Sequence, residues 1–154
     1  MIQDAWFWLH VSFFLAGMAG LVTAVSSAGI YLWQSSQLKS KHPGQIFFKF
    51  PSLDTLDKVH RRSLGIGIVL FSLGILSGVF WAKKLKELGA IFNDPKVILS
   101  LATCFLYWAI WGLRLLELRR GQKIAIGTLL VFVLLFLTFL SSHDLSLAVR
   151  KGVY

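Results

Sequence analysis

Residues 5–34 read AWFWLHVSFFLAGMAGLVTAVSSAGIYLWQ, thirty consecutive positions without an Asp, Glu, Lys or Arg. At 1.5 Å of rise per helical residue such a run extends about 45 Å, and about 20 residues already cross the hydrocarbon core of a bilayer. The stretch therefore reads as a transmembrane helix that tilts or projects beyond the core. Asp4 is placed to cap it, and Trp6, Trp8 and Trp33 stand near its ends, where indole rings favour the membrane interface. Ala16, Gly20, Ala24 and Ala28 recur at every fourth position, which lets a neighbouring backbone approach closely.

Working outward, three more apolar blocks follow at about 63–82, 95–117 and 124–142, separated by basic connections. Hydrophobic residues make up 56% of the 154 positions and charged residues 15%, against about 25% charged in soluble domains. The pattern predicts an all-α polytopic membrane protein: one transmembrane domain over 1–154 with four spanning helices. In the first loop, Ser52 after Pro51 can cap a short helix whose Leu53, Leu56 and Val59 share a face, and this segment reads as an interfacial amphipathic helix. Gly67, Gly74 and Gly78 share a face of the second span, with Gly74 and Gly78 forming a small-xxx-small motif. Asp94-Pro95 is a carboxylate cap followed by proline at the first helical position of the third span. Arg114, one turn from the end of that span, is expected to snorkel to the headgroups.

The net charge of +9 sits in the connections rather than in a single patch, which excludes nucleic acid as the natural partner and points to the bilayer. No Lys or Arg precedes Lys39, so the basic start of a secretory signal peptide is lacking and the first block is expected to be a retained helix. The first and third connections, with Arg114, carry ten Lys/Arg. The N-terminus, second connection and tail carry six. The positive-inside rule then places both termini outside, an N-out/C-out arrangement in a bacterial or organellar inner membrane. Cys104 is the sole cysteine and lies in mid-span, so no intrachain disulfide can form.

The histidines divide by side. His42 and His60 fall on the cytoplasmic side, where His60, beside Arg61 and Arg62, can meet an anionic group or lie among solvated headgroups. His10 and His143 fall at similar depth near the outer face, with the second loop between them. Two neutral imidazoles so placed can clamp an iron porphyrin, and an ionisable group at bilayer depth is a functional candidate. The plainer alternative has His10 bonded to a neighbouring helix and His143 among the headgroups, and residue types alone favour it. Asp54 and Asp57 read as the polar face of the interfacial helix. Tyr107, Trp108 and Trp111 read as packing and belt residues. No zinc-type pairing or phosphate-binding glycine loop occurs.

Several elements in order resemble the C-terminal half of the cytochrome c assembly membrane proteins (the CcsA/CcmC/HemX-like group). They are Leu9-His10-Val11, then Pro51-Ser52-Leu53-Asp54-Thr55-Leu56-Asp57, then Gly78-Val79-Phe80-Trp81-Ala82, and finally Asp94-Pro95-Lys96. The resemblance runs from about Leu9 to His143. It implies haem b held at the outer face by two histidines flanking a tryptophan-rich loop, with presentation to apocytochrome c and other maturation proteins as partners. His10 matches the first histidine, and His143 takes the place of the second by position. Residues 86–93 here carry no tryptophan, which leaves Phe92 as the aromatic and Asp94 as the remnant of the loop motif. The additional N-terminal helices of most members are also unmatched. The implied role is an accessory of cytochrome c biogenesis rather than an enzyme. The alternative is a non-catalytic structural or assembly subunit of a larger, respiratory-type membrane complex, without haem.

Overall fold

The computed structural model describes residues 2–40, 49–84, 95–116 and 121–150, with side chains described over 5–40, 49–80, 97–116 and 121–137. Its architecture is four helices: α1 (Ile2–Lys39), α2 (Leu53–Lys84), α3 (Pro95–Leu115) and α4 (Gln122–Arg150). Among the described residues there is no strand. Three helices contain segments long and apolar enough to cross a membrane, Ala5–Lys39, Leu53–Phe80 and Val97–Leu115, while the corresponding described part of α4, Gln122–Leu137, is apolar but shorter. The surface inverts the soluble pattern. Large apolar side chains such as Leu15, Ile66, Phe105 and Leu130 point outward, whereas Ser27, Gln34, His60, Thr103, Arg114 and Thr128 are buried. A soluble protein would not expose this much apolar surface on every helix, but a bilayer makes it the favourable arrangement.

The closest packing is between α1 and α2, and it is made of glycine. A Cβ built on Gly20 would lie 2.7 Å from the Cα of Gly67, and one built on Gly17 would lie 2.6 Å from the backbone nitrogen of Phe71. Further along, a Cβ on Gly74 would meet the backbone of Phe14 at 3.1 Å, and one on Gly78 would meet the His10 ring at 2.9 Å. The pairs 20/67, 17/71, 14/74 and 10/78 climb one helix while descending the other, so the two run antiparallel. Leu21, Ala24, Leu64, Ile68 and Phe71 close the seam, and Tyr107 of α3 with Val131 and Leu135 of α4 complete the core. Within lipid no hydrophobic effect draws helices together, so this close contact of backbones is what holds the pair.

Two expectations about these faces change in detail. Ala16 is exposed and Gly17 occupies the seam in its place. A series at every fourth residue drifts about 40° per step around a helix, whereas the seam at 10, 14, 17, 21, 24 and 28 follows the 3.5-residue spacing of antiparallel packing. The amphipathic segment after Pro51 is helical and capped by Ser52, whose Oγ accepts from the Thr55 amide at 3.3 Å, but it is continuous with the second span. Its inward face is Leu56, His60 and Leu64, and Val59 is exposed. Two helices run past their expected ends, α1 to Lys39 and α4 to Arg150, so His143 lies within a helix. Before α4, Gly121 has a φ of 68°, a left-handed conformation that suits glycine, and a Cβ there would lie 2.8 Å from the Tyr31 hydroxyl.

Gly20→Ala and Gly67→Ala are each expected to destabilise the protein by about 1–3 kcal/mol through overpacking against backbone. Gly29→Ala and Gly112→Ala, which meet nothing within 4 Å, are expected to be neutral or stabilising by up to about 1 kcal/mol through helix propensity. Unfolding of the detergent-solubilised variants by titrated denaturing detergent separates the two pairs. Equal effects would mean the seam is not the close contact described.

Candidate functional site

His10 lies two turns into α1, opposite the glycines of α2. Its Nδ1 is 2.7 Å from the carbonyl oxygen of Gly74. A carbonyl only accepts, so Nδ1 carries the proton and donates, and in the neutral ring Nε2 keeps its lone pair. Gly78, one turn further along α2, provides the notch that admits the imidazole, since a Cβ there would reach both Nδ1 and Cε1 at 2.9 Å. The Gly74 carbonyl also accepts from the Ser77 hydroxyl at 2.8 Å. Phe14 stands beside the imidazole with ring centroids 6.1 Å apart, and Trp6 and Phe80 pair at 5.9 Å near the same end of the two helices. The bond to a neighbouring helix that the plainer reading anticipated is therefore present, and it occupies only one ring nitrogen.

The other expected members of this site cannot be placed beside His10. Phe92 and Asp94 lie outside the described residues, and of His143 only the backbone, within α4, is described. Among the described residues no group of three or more His, Cys, Asp or Glu side chains is placed to hold a metal ion. At this end of the bundle the His10 Nε2 lone pair is a donor that a cofactor could take.

The opposite end of the bundle holds a polar network that the sequence reading missed. Arg114 is buried, not snorkelled to a surface. Its Nη2 donates to Asp57 Oδ1 at 2.5 Å and to the Asp57 carbonyl at 3.2 Å, while Nη1 donates to His60 Nδ1 at 2.7 Å. Because His60 Nδ1 accepts, its Nε2–H is left to donate, and it reaches Thr128 Oγ1 at 3.1 Å. Thr128 in turn donates to the Ile124 carbonyl at 3.0 Å. Each of these bonds runs from an N–H or O–H to an acceptor, and the chain joins α2, α3 and α4. His60 therefore faces inward, and Asp57, three residues before it on the same side of α2, turns its carboxylate to Arg114 while staying partly exposed. The available signal was that spacing, with Arg114 inside an apolar helix needing an acid.

An all-helical membrane protein has thus been described, with two helices clasped through glycine and an oriented histidine at one end of the clasp. The chain belongs to the cytochrome c assembly family: the family model described as "Cytochrome C assembly protein" matches residues 1–148. Cytochrome c biogenesis protein CcsA of Guillardia theta is 26% identical over 169 residues, covering 99% of this chain and 54% of that protein. The CcsA proteins of Gloeothece citriformis and Crocosphaera subtropica are 28% and 32% identical, covering 86% and 66% of this chain and 39% and 29% of their own lengths. The chain spans about half the length, or less, of these curated relatives. No solved structure matches it.

The network makes an unequal set of variants. Asp57→Asn leaves the Arg114 guanidinium, whose side chain is 7% exposed, without its counter-charge and is expected to cost about 3–5 kcal/mol. Arg114→Met leaves Asp57, 43% exposed, able to reach water, and is expected to cost less, about 1–3 kcal/mol. The double variant should cost less than the sum of the two, measured by a double-mutant cycle on unfolding. Strict additivity would show that the pair does not interact.

Proposed function

We propose that the chain holds haem b near the outer membrane face in support of cytochrome c assembly, with His10 supplying one axial ligand to the iron. The observation that carries this reading is the Nδ1–H bond from His10 to the Gly74 carbonyl. Metal-ligating histidines usually donate their other ring N–H to a carbonyl or carboxylate, which fixes the tautomer and orients the ring. A neutral imidazole held in this way fits the axial position of a haem iron. His143 is the proposed second ligand, with Phe92 against the porphyrin and Asp94 at the edge of the site. Haem held there would supply the porphyrin for attachment to apocytochrome thiols. What this chain contributes is the oriented imidazole and an apolar flank from Phe14, Trp6 and Phe80.

The proposed setting is a four-span, N-out/C-out protein of a bacterial or organellar inner membrane. The excess of Lys and Arg on the first and third connections supports that orientation. Other cytochrome c maturation proteins and apocytochrome c are its proposed partners. One feature favours a second reading as a haem-free assembly subunit. Residues 85–94, between the second and third helices, contain no tryptophan.

Absorption spectra of the purified protein, oxidised and reduced, separate the two. A Soret band with sharp reduced bands is expected, lost in His10→Ala and His143→Ala and retained in His42→Ala. Gly78→Ala, which pushes a methyl into the imidazole notch, is expected to weaken haem binding about 10-fold or more, as disturbed support of a ligating histidine does. A protein that stays colourless after haem is supplied would leave the assembly-subunit reading.

A further inference from the structure

The end of the bundle opposite His10 opens into a polar cavity of about 780 Å³, lined from all four helices. Tyr31, Ser35 and Lys39 line it from α1, Asp57 and Arg61 from α2, and Arg114 from α3. The start of α4, with Gln122 and Lys123, closes it. Four cations and two carboxylates face this space.

Both carboxylates are already engaged. Asp54 pairs with Lys58 at 2.6 Å and Asp57 with Arg114 at 2.5 Å. Lys39 donates to the neutral Gln122 Oε1 at 2.8 Å, and Gln122 in turn donates to Ser35 Oγ at 2.7 Å. Among the described residues, Arg61 and Lys123 have no hydrogen-bond or ion-pair partner. Three cations, Lys39, Arg61 and Lys123, therefore converge on one cavity with no carboxylate of the described residues left to balance them, an arrangement that an anion between them relieves. The backbone adds to this field. The Ala125 amide is bonded to the Gly121 carbonyl, so the amides of residues 122–124 precede the first intrahelical bond of α4, at the positive end of its dipole.

The cavity lies at the ends, Lys39, Leu53 and Leu115, of the three segments long enough to span a membrane, so a bilayer crossed by them would set its headgroups near this level. We propose that it binds a phosphate group, that of an anionic phospholipid at the membrane surface, between Arg61, Lys123 and Lys39. The apolar tails of such a lipid lie along the outward faces of the helices. The phosphate rests above the Asp57–Arg114 pair, so lipid occupancy and the buried network share a wall. This site is independent of haem and of the reading of His10.

The test compares binding of phosphatidylglycerol, phosphatidylcholine and inorganic phosphate to the detergent-purified full chain, by native mass spectrometry and by the shift of its unfolding midpoint. The variants are Arg61→Gln with Lys123→Gln, and Arg62→Gln as an exposed control outside the cavity. Arg61 and Lys123 are exposed and unpaired, so the lipid-free midpoint of the double variant should match the unaltered chain. At about fivefold per cation removed, phosphatidylglycerol binding should fall about 25-fold in the double variant, stay unchanged in Arg62→Gln, and exceed phosphatidylcholine binding in the unaltered chain. Inorganic phosphate binding with the same variant dependence, without preference for phosphatidylglycerol over phosphatidylcholine, would assign a soluble phosphate and overturn the lipid source. Equal losses in both variants, or in neither, would overturn the site.

Discussion

The close approach of α1 and α2 is the constraint on which the rest depends. Gly20 and Gly67 meet backbone to backbone, and Gly17 lies against the main chain of Phe71. In lipid, such contact gains dispersion and brings main-chain polar groups within reach of partners across the interface. One consequence is the His10 bond. The imidazole reaches the Gly74 carbonyl because neither Gly74 nor Gly78 carries a side chain to hold it off. A helix pair spaced by leucines would stand at a more usual 8–10 Å separation, and the same histidine would face lipid or a different neighbour.

α3 and α4 are attached by other means. In the middle of the bundle, Tyr107, Val131 and Leu135 pack on the seam, and the Trp108 indole donates to the Ser72 hydroxyl at 3.0 Å. At the end opposite His10, Arg114 draws α3 to α2 through Asp57 and His60, and His60 carries the connection to α4 through Thr128. A buried charge is expensive beside lipid, so a connected chain of donors and acceptors fixes rotation and depth at the same time. The bundle thus has two distinct ends: one with a single oriented imidazole among aromatic rings, the other with a paired charge beneath a cationic cavity.

Much of the fold was legible because a bilayer imposes a coarse demand, long apolar runs bounded by basic connections, that composition cannot disguise. Ser52 as a cap and the Gly74/Gly78 motif were legible for a local reason, since each depends on residues one helical turn apart. The helix ends were less so. Nothing in 53–62 marks where an interfacial helix would stop, and the structure carries it straight into the span. The role of Arg114 was legible only as far as a charge inside an apolar helix that needs accommodating. Snorkelling and pairing make the same demand on sequence, and the choice rests on Asp57 and His60 lying more than fifty residues away on another helix. For the site, His10 was identified from its position and from the family resemblance. What distinguishes its two nitrogens, however, is a carbonyl of another helix, which no spacing within α1 encodes.

The central claim is that the glycine seam holds His10 as a neutral Nδ1–H imidazole with Nε2 left as a lone-pair donor. Nitrogen-15 NMR of histidine-labelled, haem-free protein at about pH 8, where an ordinary imidazole is neutral, reads this directly. The resonance that disappears in His10→Ala should show a protonated Nδ1 and an unprotonated Nε2. That pattern should be disturbed in Gly78→Ala, where the added methyl displaces the ring. A protonated Nε2 at His10 in the unaltered protein would contradict the account, because the Gly74 bond and the free ligand nitrogen could not then coexist.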